Sequence, residues 1–452
     1  MTVRGFLAAR PDTLLAHLIA TGVGEFVYRI TQLLTVALAG WVLGAADLGV
    51  IGIAWSLTAI AAGIVQAGSE HAGTHRLAVS PPDQGARILT DVSALKLGLI
   101  LAAVPVLFGV QTVLGYVDAG SRLQLAAQVC SMALVSLGYG WALNGLGRFY
   151  EQGLIRLFQG LATLVLLVLL LLVFRSPLAV PVAEGAAAML AIVVARRRLG
   201  PFARLSLPSL TAVRELARPA IPLGFAATVG TVIWQAPILS AARWTPIEEV
   251  SHLSVLFRLM LGLHPFLNVA LQTIYPSLAR TMASDPHRGR EMVFVLTLHA
   301  SVAMTAVVVV LAGMSEILVP TILGPHFPQA APLFRLLVPV MVPFTIAAAL
   351  TSALVARGQA RTIVCVTTAT AAMAAVASNG AFWLWPTATG ALVFHGVLWG
   401  QAAMTGIAAW RCGVIGRPAA AWNVWLNPLT LGRMVHLERA GTMSGASLHP
   451  AK

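Results

Sequence analysis

Six ionisable side chains stand inside segments that are otherwise almost wholly apolar: Glu25, Arg29, Lys96, Glu184, Arg258 and Arg335. A charge at bilayer depth costs about 3 kcal/mol or more unless it is paired or hydrated, so each one marks a candidate path, relay or binding site. Glu25 precedes Arg29 by four residues, which puts both on one helix face in the favourable acid-before-base order. One reading of this pair is self-compensation that merely lets the helix insert. The same face, however, presents Thr21, Glu25, Tyr28 and Gln32 at offsets of four, three and four. A second stripe, Gly224, Thr228, Thr231 and Gln235, recurs about two hundred residues later. Neither stripe suits lipid, and two of them facing each other suit a wet cavity.

Lys96, Arg258 and Arg335 have no acid at helical spacing within their own segments. Arg335 lies about a turn from a segment end, where its long stem can snorkel to the interface. Lys96 and Arg258 lie deeper, and cavity exposure is the expectation for both. Arg29, Lys96 and Arg258 outnumber Glu25 and Glu184, so such a cavity would attract an anion, for example a phosphate or pyrophosphate. The candidate binding residues are therefore Arg29, Lys96, Arg258, Gln32, Thr231 and Gln235, with Glu25 as either a coupling carboxylate or the partner of Arg29. His264-Pro265 predicts a kink. His299 reads as a hydrogen-bonded helix residue, and His395 is a candidate to pair with Glu184.

The elements that must carry these groups are transmembrane helices. A span needs roughly 20 mostly apolar residues, and twelve such stretches are read at 13–43, 49–74, 88–112, 122–144, 152–174, 177–198, 215–243, 250–280, 289–313, 331–356, 361–384 and 388–410. A hydrophobic share of 58%, a charged share of 10% and a mean hydropathy of +0.84 exclude a soluble domain. With the N-terminus in the cytoplasm, 22 of the Lys and Arg residues in loops and helix ends fall inside and only Arg122, Arg175 and Arg243 outside. That is the positive-inside pattern, so the net charge of +13 is orientation and anionic-lipid contact rather than a nucleic-acid footprint. Both termini are expected in the cytoplasm of a bacterial inner-membrane protein. The opening MTVRGFLAARPD runs into a helix too long and too charged for a cleavable signal peptide. Cys130, Cys365 and Cys412 have no metal or redox spacing and are expected as free thiols.

The basic stretch from Arg196 to Pro219 divides the helices six and six. A shift of 203 positions lays Gln32 on Gln235, Trp41 on Trp244, Arg87 on Arg290 and Lys96 on His299, which points to an internal duplication. The expected organisation is an N-terminal lobe over 1–199, a linker over 200–214, a C-terminal lobe over 215–411 and a cytoplasmic tail over 412–452. Trp422, Trp425, Leu429 and Met434 give the tail an interfacial character, interrupted by Pro428. The outer stretch SEILVPTILGPHFPQA, residues 315–330, reads as a loop too short for a catalytic module. The chain carries no P-loop, HExxH or GxSxG signature. It also carries no outer carboxylate cluster, so movement is favoured over catalysis and no cofactor or metal is expected.

The run LLTVALAGWVLGAADLGVIGIAWSLTAIAAGIVQAGSEHAGTHRLA, residues 33–78, resembles the signature of polysaccharide and lipid-linked-oligosaccharide flippases, with Leu43, Gly44, Asp47, Gly49, Gly68 and Arg76 filling its places. NGLGRFYEQGLIRL after the fourth stretch continues the resemblance. So do VLFRLMLGLHPFLNVALQTIYPSLAR at 255–280, with Pro276 and Arg280, and ILGPHFPQAAPLFRLLVPVMVPFTIAAALTSALVARGQART at 322–362. The resemblance covers most of residues 14–411. It implies the multidrug/oligosaccharidyl-lipid/polysaccharide exporter superfamily and an all-α, MATE-like fold of two six-helix lobes with pseudo-two-fold symmetry around a cationic cavity. It further implies an undecaprenyl-pyrophosphate-linked repeat unit flipped to the periplasmic leaflet for capsule, exopolysaccharide or O-antigen synthesis. Membrane lipids, a polysaccharide polymerase and glycosyltransferases of the same pathway are the implied partners, and nucleic acid is not. Arg29 and Lys96, with Arg258 as a third, are the residues it offers for the pyrophosphate, while Glu25 departs from a purely cationic first helix. The competing readings are a cation-coupled multidrug exporter of the same superfamily, a membrane polymerase or ligase, and a major-facilitator symporter. The symporter's loop signature is absent from HRLAVSPPDQGAR.

The topology is directly testable. In a cysteine-free background, Asp83→Cys and Ser206→Cys should react with an impermeant maleimide only in inverted vesicles, and Asp118→Cys and Thr387→Cys only in intact cells. The opposite pattern would reverse the assigned orientation.

Overall fold

The computed structural model describes residues 14–203, 206–262 and 264–415, and the described residues are helical throughout with no strand. The tail residues Trp422, Trp425, Pro428, Leu429 and Met434 lie outside them, as do the side chains of Thr21, Pro265 and Pro276. The N-terminal lobe contains α1 (Leu14–Leu43), α2 (Ala45–Ala62), α3 (Gly68–Val79), α4 (Gly85–Leu114), α5 (Ala119–Ser136), α6 (Gly140–Gly145), α7 (Phe149–Phe174) and α8 (Ala179–Leu199). The C-terminal lobe contains α9 (Leu210–Trp244), α10 (Ile247–Leu261), α11 (His264–Ser284), α12 (Pro286–Gly313), α13 (Ser315–Leu323), α14 (Ala330–Leu337), α15 (Met341–Ala356), α16 (Ala360–Leu384) and α17 (Val393–Arg411).

Eleven spans among the described residues are long and apolar enough to cross a bilayer, which makes this a multi-pass membrane protein. The remaining expected span, 250–280, runs as α10 and α11 on either side of residues 262–263, where Gly262 and the residues before Pro265 predict a break. Two other expectations need correction. The stretch 315–330 is not only loop, because α13 forms there despite Pro320 and packs on α1. The seventh helix begins at Leu210 rather than 215, because Ser209 caps it by accepting from the amide of Ala212. Between the third and fourth spans, Gly115 at φ 94° ends α4 and Asp118 caps α5. Hydrogen bonds from Ser121 hold the Asp118 carboxyl below the ordinary carboxylate range.

The two lobes pack alike. In the N-terminal lobe α1 lies along α7, α7 on α8, and α5 on α8; in the C-terminal lobe α9 lies along α16, α16 on α17, and α15 on α17. Trp41 and Trp244 close the first helix of each lobe, donating to the carbonyl of Ile322 and to the side-chain oxygen of Asn379 respectively. These parallels bear out the two-lobe, pseudo-two-fold architecture.

Glycines let the lobes touch. A Cβ at Gly49 would overlap the backbone and side chain of Ile247, and one at Gly52 would overlap Ser254, so α2 and α10 meet backbone to backbone at the Arg-poor end. At the same end α1 is tied to α13 by Trp41, and Gly40 packs on Leu323 and Phe327. On one flank α9 follows the entire second span, with Gly63 against Thr228 and Gly68 against the Ala220 carbonyl. Residues Gly63–Ala67 between α2 and α3 form a π turn that packs on α9.

Filling that seam should pry the lobes apart. Gly68→Val should lower the stability of the purified protein by about 1–3 kcal/mol, the usual range for overpacking, and an unchanged unfolding midpoint in detergent would show that the seam is loose.

Candidate functional site

A cavity of about 260 Å³ lies between the lobes. Arg29 and Gln32 enter it from α1, Trp55 from α2, Gln235 from α9, and Ser254 and Arg258 from α10. The helical spacing of the two stripes explains why: Gln32 lies three residues on from Arg29, and Gln235 occupies the matching place in the other lobe. Arg258 reaches across the lobe boundary to stack on the Trp55 ring, with its guanidinium carbon 3.2 Å from the ring centroid. Arg29 Nε donates to Glu25 Oε1 at 2.8 Å, and Arg156 Nε lies 3.6 Å from Glu25 Oε2. Glu25 is thus shared by two arginines, and half of the Arg29 side chain remains exposed.

A second cavity, about 300 Å³, opens from the first into the N-terminal lobe. The two share Arg29, Gln32, Trp55, Ala59 and Arg258. Its wall adds Tyr28, Thr58, Gln66, Gln128, Gln159 and Glu184. Gln128 Nε2 donates to Glu184 Oε2 at 3.0 Å, and Arg258 lines the same cavity as this carboxylate. A third cavity, about 180 Å³, continues from Gln159 past Arg156, Gln152 and Asn144 to Glu70. In the C-terminal lobe, Trp234 packs edge-on against Phe257, Phe344 and Phe394 with centroids 5.0–6.1 Å away.

The expected residues divide clearly. Arg29, Gln32, Gln235 and Arg258 converge on the inter-lobe cavity, and Glu25 stands beside them on α1. Thr231 lines none of the three cavities; its hydroxyl donates back to the Ala227 carbonyl at 3.0 Å, while its neighbour Thr228 takes up the contact with α2.

Lys96 is a correction of a different kind. Instead of lining a cavity, it is 1% exposed inside the N-terminal lobe, where its ammonium donates to Glu70 at 3.0 Å and to the Ser136 carbonyl at 2.6 Å, beneath the Trp141 ring. The acid missing at helical spacing on its own helix is supplied by α3, a pairing across helices that spacing along one helix cannot show. Arg335 lies at the surface 3.6 Å from Glu316. His299 bonds to the Val295 carbonyl as expected, whereas His395 bonds to the Leu336 carbonyl in the C-terminal lobe and does not pair with Glu184.

The sequence reading missed Arg156 by counting it only as a basic residue at a helix end. Its signal was present: Gln152, Arg156, Gln159 and Thr163 repeat the four, three, four spacing on α7. In the structure the Arg156 guanidinium lies over the Tyr28 ring, 4.7 Å from its centroid, which joins the α7 stripe to that of α1. No group of three or more His, Cys, Asp or Glu residues able to hold a metal ion occurs among the described residues.

No protein-family model and no curated protein matches this sequence. Solved structures do. The inward-facing form of a multidrug resistance MATE family transporter of the MOP superfamily superposes with a TM-score of 0.64 over 92% of this chain and 99% of that one, at 16% identity. The chain has the MATE fold. The inward closed form of the lipid II flippase MurJ gives a TM-score of 0.63 over 96% of this chain and 94% of its own, at 10% identity. The eukaryotic MATE transporter AtDTX14 gives 0.62 over 93% and 97%, at 16% identity. The two-lobe MATE-like architecture inferred from the sequence is thereby shown, and the neighbours are transporters and a flippase rather than enzymes.

The buried Lys96 gives a structural prediction. Lys96→Met leaves Glu70 and the Ser136 carbonyl without a donor and should destabilise the protein by about 1–3 kcal/mol. Adding Glu70→Gln should restore part of that loss, and the thermal unfolding midpoints of the single and double variants decide it.

Proposed function

We propose that this chain moves a lipid-linked anionic glycan, of the undecaprenyl-pyrophosphate type, from the cytoplasmic to the periplasmic leaflet of a bacterial inner membrane by alternating access. The observation that carries this reading is the meeting of Arg29 and Arg258, one from each lobe, at a single cavity flanked by Gln32 and Gln235. Arginine forks suit the paired oxygens of a pyrophosphate, and a bound dianion bridges the lobes in a way no single-lobe site does. Glu25 shares its charge between Arg29 and Arg156, so it leaves a net positive cavity. The resemblance of the loop and helix-end motifs to the flippases, and the likeness of the fold to the lipid II flippase MurJ, lend support. With no ATP site in the chain, the driving force is a proton gradient, the membrane potential or consumption of product, and Glu25 is the candidate proton carrier. The proposed partners are the polymerase and glycosyltransferases that consume and supply such a glycan.

A second reading has a specific observation behind it, since two of the similar folds are MATE transporters. In that reading the chain is a cation-coupled multidrug exporter. The arginines facing the cavity disfavour cationic drugs, which ranks this reading second.

Deleting the gene should make lipid-pyrophosphate-linked repeat units accumulate in the cytoplasmic leaflet and remove polymer from the cell surface. Arg29→Ala and Arg258→Ala should each fail to restore export while reaching wild-type abundance in the membrane, and purified forms should bind inorganic pyrophosphate at least tenfold more weakly. Glu25→Gln should retain pyrophosphate binding and lose the dependence of export on the proton gradient. Normal polymer in the deletion strain, with altered drug susceptibility, would select the exporter reading.

A further inference from the structure

The two lobes repeat one pattern, and one connection departs from it. In the N-terminal lobe the third and fourth spans are joined by residues 115–118, whereas the equivalent connection of the C-terminal lobe, residues 314–329, holds a helix of its own, α13. An added helix has to bury its apolar face against another element, and α13 buries it on the other lobe. Val319, Leu323 and Phe327 are fully buried in one core with Val36 and Ala39 of α1. The segment is also held in its own lobe, where the Phe327 ring stands edge-on to His252 of α10 and Arg335 of α14 lies 3.6 Å from Glu316.

The end of α13 is fastened to the N-terminal lobe by a polar bond. The Ile322 carbonyl lies in the last turn of the helix, where no further helical amide is left to bond it. Trp41 Nε1 of α1 donates to it at 3.1 Å. Gly324 then turns the chain at φ 82°, and a Cβ there would stand 2.8 Å from the Trp41 ring, so glycine is what lets the indole lie against the turn.

A tryptophan at the end of a span is commonly an anchor in the membrane interface. Trp244 occupies the same place in the repeat, and it bonds to Asn379 of its own lobe. Trp41 instead bonds across the lobe boundary, a difference that anchoring does not require. The α2 and α10 helices also touch at this Arg-poor end through Gly49 and Gly52, but those contacts are close packing without direction. The bond from Trp41 is directional and is lost once the lobes part by a few ångströms.

We infer that α13 and the turn at Gly324 form a latch between the lobes. Trp41, bonded to Ile322 and packed on Gly324, holds the Arg-poor end shut, and this contact must break before the lobes can separate there. The latch acts on the lobes themselves and is independent of what the cavity carries.

Spin labels on Asp118→Cys in the N-terminal lobe and Thr387→Cys in the C-terminal lobe, in a cysteine-free background, report the separation of the lobes at the Arg-poor end. Adding Trp41→Ala should raise the ratio of long to short separations about fivefold, the scale of one lost hydrogen bond. Trp41→Phe, which keeps a ring against Gly324 and has no N–H, should give a smaller rise in the same direction. Trp244→Ala breaks a bond inside one lobe and should leave the distribution as it was. An unchanged distribution in Trp41→Ala would overturn the latch. So would an equal shift in Trp244→Ala, because loss of an interfacial tryptophan would then be the cause. If Trp41→Ala does not reach the membrane, Trp41→Phe decides alone, and an unchanged distribution in it would overturn the latch.

Discussion

The controlling constraint is the cost of a polar or charged group inside a bilayer without water or a partner. Three of the intramembrane charges read from the sequence meet it in different ways. Lys96 is paired with Glu70 and a carbonyl in the interior of a lobe, Arg335 is close to Glu316 at the surface, and Arg258 lies on an indole ring beside a cavity. Those placements separate enclosed charges from open ones more sharply than depth in the membrane does. Lys96 makes two hydrogen bonds and has almost no exposed surface, while Arg29 keeps half of its side chain open.

Backbone contact between the lobes is the second consequence. Helices packed against each other in lipid gain little from burying apolar side chains, since lipid is equally apolar, and they associate through close packing at small residues. Gly49, Gly52, Gly63 and Gly68 provide that packing along the second span, whose partners are α10 at one end and α9 along the other flank. The second span is therefore the element that both closes the Arg-poor end and carries Trp55 and Thr58 to the cavities. A change of its packing is felt at the site without any chain of intermediate residues.

The two lobes share a fold and have diverged in content. Gln32 and Gln235 face the same space from equivalent helices, as a duplication requires, yet one lobe encloses a polar chamber and the other a cluster of aromatic rings.

The helices and the two-lobe repeat were legible in the sequence, because hydrophobic length and the recurrence of Gln and Trp at a shift of 203 are properties of the chain taken in order. The two cavity stripes were legible for the same reason, since the helical repeat alone puts Glu25, Arg29 and Gln32 near one face. Partners across helices were not. Lys96 looked like a cavity cation until α3 brought Glu70 to it, Arg156 looked like a loop charge until α7 laid it over Tyr28, and Thr231 shared a stripe with Gln235 but turned its hydroxyl to its own helix. Sequence fixes which groups lie on one helix, whereas a membrane charge is satisfied by groups on other helices, and only the packing of helix against helix decides whether it is structural or left free to bind.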